Sequence, residues 1–204
     1  WVTVHDPDGR TLEVQVRGEK VLRYNCAPVP PPQDDLPESL TRNAYLHPVW
    51  APSGRSVTDD YSPDHPHQRG IFFAWTETRF EDRTPDFWNL VEGTGTVRLK
   101  GLGEQFEGPV FGGFRAFHEH VDLSIPGEEQ VVLEETWNVR VYGFGGRNLG
   151  FFLFDITSEQ TNVTSSPLIL PEYHYGGMAV RGARDWTPER LQVRTSSGST
   201  DRFE

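Results

Sequence analysis

The sequence has a single cysteine, Cys26, and a single methionine, Met178, among 204 residues. A lone thiol excludes an intrachain disulfide and a zinc thiolate cluster, and it suits a reducing compartment such as the cytoplasm. No apolar run approaches the roughly 18–20 residues that a membrane-spanning helix needs, so a membrane is not an expected partner. Basic side chains are scarce as well: 19 Lys and Arg stand against 30 Asp and Glu, a net charge of −11. That balance speaks against binding a phosphate backbone and excludes nucleic acid as an expected partner. The chain opens on Trp1 with no initiator methionine, which implies a processed or trimmed start.

What is present is aromatic. Hydrophobic residues make up only 35% and mean hydropathy is −0.57, yet six Trp and thirteen Phe bring the aromatic share to 12%. A disordered chain lacks such rings, so this one folds around them.

Alternation dominates over helical period. Leu12, Val14 and Val16 alternate with polar residues, and Gly18-Glu19 separates them from Val21 to Asn25, which predicts a hairpin. Residues 27 to 63 carry Pro28, Pro30, Pro31, Pro32 and Pro37 and read as a long surface excursion. Thr96 to Lys100, Val110 to Asp122, Gln130 to Tyr142 and Leu149 to Glu159 read as four strands of an antiparallel meander. In the third, Leu133, Glu135, Trp137, Val139 and Val141 share the core face. Only Pro188 to Val193 and Pro37 to Asn43 suit short helices. The expected class is all-β, one antiparallel sandwich or barrel over residues 1–204. It ends just after a strand-like stretch, as though a C-terminal portion were missing.

The densest chemistry lies in Thr58-Asp59-Asp60-Tyr61-Ser62-Pro63-Asp64-His65-Pro66-His67-Gln68-Arg69-Gly70. In extended chain His65 and His67 project to one side, where two imidazoles suit metal binding or shared acid–base work; capping of turns is the plainer alternative. His118 with His120 and Glu172 with His174 repeat the spacing. The first of these pairs reads as two exposed histidines on a solvated face and stays outside the expected site. Asp86-Phe87-Trp88-Asn89 and Pro171 to Gly177 join carboxylates to aromatic rings. Rings stack on the C–H face of a pyranose while carboxylates, His and Arg bind its hydroxyls, so this mixture points to sugar recognition, with core packing as the alternative.

Tyr45-Leu46-His47-Pro48, Pro52-Ser53-Gly54, Thr58-Asp59, Asp64 to Gly70, Asp86-Phe87-Trp88 and Tyr175-Gly176-Gly177 together resemble the bacterial PmoA-like proteins, over roughly residues 10 to 185. Gln68 departs from the pattern, standing where many members carry His or a similar polar residue. The resemblance implies a β-sandwich of the galactose-mutarotase type with a concave sugar-binding face. The family label points to a membrane-embedded methane monooxygenase subunit, an activity that a chain without a spanning segment does not support.

The expectation is a carbohydrate-active protein working by proton transfer on a small sugar or oligosaccharide. His65, His67, Asp86, Glu172 and His174 are its acid–base candidates. His47, Asp64, Arg69, Trp75, Trp88 and Tyr175 are its substrate-binding candidates. No cofactor is expected. The alternatives are a non-catalytic sugar-binding module and a metal-dependent oxygenase or hydrolase holding a divalent ion at His65, His67, Glu172 or His174.

Overall fold

Alternating apolar residues give the predicted hairpin one apolar face, with Leu12, Val14, Leu22 and Tyr24 in the core. In the computed structural model, which describes residues 1–187, 192, 194, 196–198 and 200, β1 (Val2–His5), β2 (Thr11–Val16) and β3 (Glu19–Asn25) run antiparallel. Arg17 and Gly18 both adopt positive φ at the β2–β3 turn, the geometry that matches strand twist in a two-residue hairpin. β4 (Tyr45–Val49), β7 (Ile71–Ala74) and β14 (Gly177–Val180) extend this sheet in the order β1-β2-β3-β4-β7-β14. Between β4 and β7, β5 (Asp60–Ser62) and β6 (His65–Arg69) form a separate two-stranded ribbon.

The second sheet is the expected meander. β9 (Gly95–Phe106), β10 (Phe111–Asp122), β11 (Gln130–Gly146) and β12 (Phe151–Asn162) lie in the order β12-β11-β10-β9. A small ribbon joins β8 (Arg79–Phe80) to β13 (Leu168–Ile169). All pairings are antiparallel, and the two main sheets make a β-sandwich. Val14, Leu22, Tyr24 and Leu46 from one sheet meet Phe114, Ala116, Trp137 and Val139 from the other, all excluded from solvent. A second apolar cluster gathers Tyr45, Phe72, Phe80, Phe87, Trp88, Val97 and Val132. Along β11 the buried residues are those read from the pattern, Leu133, Glu135, Trp137, Val139 and Val141.

Two readings need correction. The stretch 27–63 is not one surface excursion: its proline-rich first part is largely exposed, but Leu40, Ala44, Tyr45 and Leu46 are fully buried and β4 lies inside the six-stranded sheet. Pro48 is tolerated because the β3–β4 ladder is interrupted between Leu22↔Val49 and Tyr24↔Leu46, where no backbone donor is required of it. His118 and His120 are not on a solvated face; they stand 1% and 0% exposed inside the sandwich. Their face is that of Ala116, which packs on the core, and His118 lies directly across from Glu135 in the ladder. Of the two short helices, Glu38–Leu40 forms a 3₁₀ turn, whereas Pro188 to Val193 falls outside the described residues apart from Gln192. Among the described residues no helix is long and apolar enough to cross a membrane.

Candidate functional site

The histidine-rich motif is held by its own ends. Asp60 pairs with Arg69 and Ser62 with His65 across the β5–β6 ribbon, and Gly70 then turns the chain into β7 at φ +52°. A side chain at Gly70 would strike the Leu46 carbonyl, so only glycine lets β6 pass β4. Arg181, next to β14, fastens the ribbon by donating to Ser62 Oγ (2.6 Å), Asp64 Oδ1 (2.6 Å) and Gln68 Oε1 (3.1 Å). Asp64 therefore serves Arg181 first, with His65 Nδ1 at 3.0 Å from its other oxygen, and its carboxyl is held well below the usual range.

His65 and His67 project to the same side as the spacing predicts, their rings edge to face at 5.7 Å. His65 is half exposed. His67 is more enclosed, and burial with the neighbouring His65 lowers its pKa to about 4, against an opposing pull from Asp86. At neutral pH it is an uncharged imidazole, able to accept a proton.

Asp86 sits within electrostatic reach of His67 but is already spent. Oδ1 accepts the backbone N–H groups of Trp88 (2.8 Å) and Asn89 (2.9 Å), while Oδ2 accepts from Thr76 Oγ1 (3.1 Å) and the Asn89 amide. Four donors fill a carboxylate's acceptor sites, so Asp86 folds the 86–89 turn and is not a free acid or base.

That turn delivers Trp88 to the second core cluster. Trp88 is 5% exposed and packs on Phe72 at 4.7 Å, so it is a foundation and not the solvent-facing wall expected of it. Its far side meets Tyr175 at 5.4 Å, and Tyr175, 38% exposed, contacts Tyr173 and His174 at 4.9 and 4.6 Å. Gly176 and Gly177, both at positive φ, bring the chain against the Trp75 ring. The result is an aromatic rim of Trp75, Tyr173, His174 and Tyr175 seated on Trp88. Glu172, exposed beside Tyr173, makes no ion pair among the described residues.

Two expected binding residues lie apart. His47, on β4, shares a hydrogen bond between Nδ1 and Thr58 Oγ1 (3.0 Å), and burial lowers its pKa; the charges it feels most are Asp60, Asp59, Arg69 and Arg23, not those of the rim. Arg69 is 0% exposed and cannot anchor a substrate. Among the described residues no group of three or more His, Cys, Asp or Glu could hold a metal ion, so His65, His67, Glu172 and His174 are not assembled as a shell.

A buried polar cluster centres on the histidine pair placed outside the expected site. Glu135, buried between the sheets, receives His118 Nδ1 (3.3 Å) and His120 Nε2 (2.9 Å) on one oxygen, and Trp137 Nε1 (2.6 Å), Ser158 Oγ (2.5 Å) and Gln160 Nε2 (3.2 Å) on the other. Burial alone would raise its pKa, but the two imidazoles outweigh burial and hold it well below the carboxylate range. Burial also keeps His118 neutral, which leaves its Nε2 free to accept the Tyr24 hydroxyl at 2.7 Å. Gln160 continues the path outward, its Oε1 accepting Trp75 Nε1–H at 2.8 Å. The interior carboxylate thus orients one ring of the rim. One signal for this lay in the pattern: a Glu on the Trp137 face needs partners, and two histidines on a neighbouring strand can supply them.

His67 predicts a pH effect. Its folded pKa lies below its unfolded value of 6.5, so the unfolded chain binds more protons in between, and stability falls as pH drops from about 6.5. Discounted for a partly exposed ring, the loss by pH 4.5 is about 1 kcal/mol, with His118 adding in the same sense. Urea unfolding of the parent and of His67→Gln should show a shallower slope for the variant across that window. Equal slopes would remove His67 as its source.

No curated protein and no solved structure matches the chain. A family match does extend over almost all of both sheets and every rim residue: residues 11–204 place the chain in the family of unknown function DUF6807.

Proposed function

We propose that the protein binds a saccharide at the aromatic rim and acts on it by proton transfer, with neutral His67 as base and His174 or Glu172 as its partner. The observation that supports this most is the clustering of exposed Tyr173, His174 and Tyr175 on one support, Trp88, whose turn also carries Asp86, within electrostatic reach of His67. Large rings left in water beside proton-transfer groups suit the apolar and hydroxyl faces of a sugar ring. Kinship with PmoA-like proteins, a mutarotase-type sandwich and a cytoplasmic setting belong to the same proposal. The full engagement of Asp86 by four donors favours a second reading, a binding module that moves no proton.

A monosaccharide and oligosaccharide panel, followed by calorimetry and by proton NMR of the sugar, separates the two. Tyr175→Ala should weaken binding about tenfold, the worth of one stacked ring. His67→Gln should cost a hundredfold or more in turnover with little change in affinity. Affinity without turnover in the parent selects the binding module, and absence of affinity across the panel defeats both readings.

A further inference from the structure

The outer face of the second sheet carries a cleft of about 720 Å³ that shares no residue with the rim. Its size matches a ligand of one or two rings. The sheet has a bare position between two of the residues that line the cleft, Phe106 and Arg140. Gly113 stands in register between Phe106 on β9 and Arg140 on β11, and a Cβ there would collide with the Val139 carbonyl oxygen, so the row of outward side chains has a gap at its centre.

The surrounding groups are already oriented. Phe106 and Phe111 meet edge to face at 5.9 Å, and the Arg140 guanidinium lies over the Phe111 ring at 4.8 Å. Arg115 Nε donates to Asn138 Oδ1 at 2.8 Å, leaving the end of its fork uncommitted. Asp155 accepts the Tyr142 hydroxyl at 2.6 Å, and Glu107 accepts the Val4 amide at 2.8 Å. Neither Arg115 nor Arg140 forms an ion pair among the described residues, although the chain has 11 more negative than positive charges. Two guanidinium groups left without a carboxylate, beside exposed phenyl edges, are complementary to a carboxylate attached to a ring with an apolar face. Asp155, Glu104 and Glu107, on the same walls, repel a purely anionic compound but accept hydroxyls.

From this combination we infer that the cleft is a binding site for a sugar acid, a hexuronate or a short uronate-bearing saccharide, whose carboxylate pairs with Arg115 and Arg140 while its ring rests on Phe111. The site stands independently of the rim and of the chemistry proposed there.

Titration of the isotope-labelled protein with galacturonate, galactose and benzoate, followed by amide NMR, tests it. Galacturonate should perturb residues 106–115, 138–140 and 155–157, with galactose at least tenfold weaker there for want of the charge and benzoate weaker for want of hydroxyls. Arg140→Gln and Arg115→Gln should each weaken galacturonate tenfold or more. Arg140→Lys should fall between parent and glutamine variant, because it keeps the charge but loses the fork. Both arginines project outward, so circular dichroism matching the parent is expected and checks the fold. Equal affinity for galactose and galacturonate, tightest binding by benzoate, perturbation confined to Tyr173 and Tyr175, or no perturbation up to about 10 mM would each overturn the proposal.

Discussion

Replacing Glu135 by alanine is expected to cost about 3–5 kcal/mol of folding stability, the scale for removing one partner from a buried charged cluster. Five donors converge on this carboxylate: His118, His120, Trp137, Ser158 and Gln160. Without it His118, His120 and Trp137 lose their acceptor in a place that water does not reach, and a buried unsatisfied donor costs more than its hydrogen bond contributes when made. For a chain of this length the thermal midpoint should fall by about 10 °C. Glu135→Gln should do less harm, because its carbonyl still accepts and His120, whose Nδ1 has no partner, can change tautomer to accept from the new amide. The damage should also reach the surface. With Glu135 gone, Gln160 is released and Trp75 loses its fixed hydrogen-bond partner, so the saccharide affinity proposed for the rim should drop in the folded fraction. Thermal unfolding of both variants, with tryptophan fluorescence to follow Trp75 and Trp137, checks each part. An alanine variant within 1 kcal/mol of the parent would contradict the account of the interior.

The same cluster marks where the sequence could be read and where it could not. The meander was legible because β10 and β11 alternate so regularly that facing residues identify themselves. Glu135 was correctly placed with Trp137, Val139 and Val141 on the inner face. His118 and His120 were misplaced because polarity was taken as a sign of water, whereas a histidine across the ladder from a glutamate carries its own solvation. β4 was hidden by the prolines before it: composition changes gradually along 27–49, while burial changes abruptly at Leu40. The rim was legible in part. The segments 171–177 and 86–89 do meet through their aromatic rings, since Tyr175 rests on Trp88. Residue type alone could not separate Trp88, which supports, from Tyr175, which is presented to solvent. Nor could it show that Asp86 spends its acceptor capacity on its own turn and on Thr76.

Arg69 tests that distinction between support and contact most severely, because a motif arginine beside two histidines reads as a substrate anchor. Its guanidinium is instead closed on every side. Nη2 donates to the Tyr45 hydroxyl (2.9 Å), Nη1 to the Leu40 carbonyl (3.1 Å) and Nε to Asp60, while the Tyr61 ring covers the plane at 3.4 Å. Tyr45 in turn donates to Asp60 at 2.9 Å, so cation, carboxylate and phenol form a closed triangle joining β4, the β5–β6 ribbon and the 3₁₀ turn at Leu40. Although burial opposes the charge, Tyr45, Asp60 and Tyr61 more than compensate and keep the guanidinium firmly protonated. Arg69→Met leaves Asp60 without its cation and the Leu40 carbonyl with only the Tyr61 hydroxyl as donor, and should cost about 3–5 kcal/mol. Arg69→Lys restores the charge but cannot reach three acceptors in a plane, so it should recover only part of that. In both variants saccharide affinity, measured on the fraction that remains folded, should equal the parent's, because this side chain is 0% exposed. Denaturant unfolding alongside calorimetry separates the outcomes. A variant of parental stability with weakened affinity would return Arg69 to the binding site and refute the closed triangle, whereas lost stability with intact affinity makes the arginine of this motif a structural bolt.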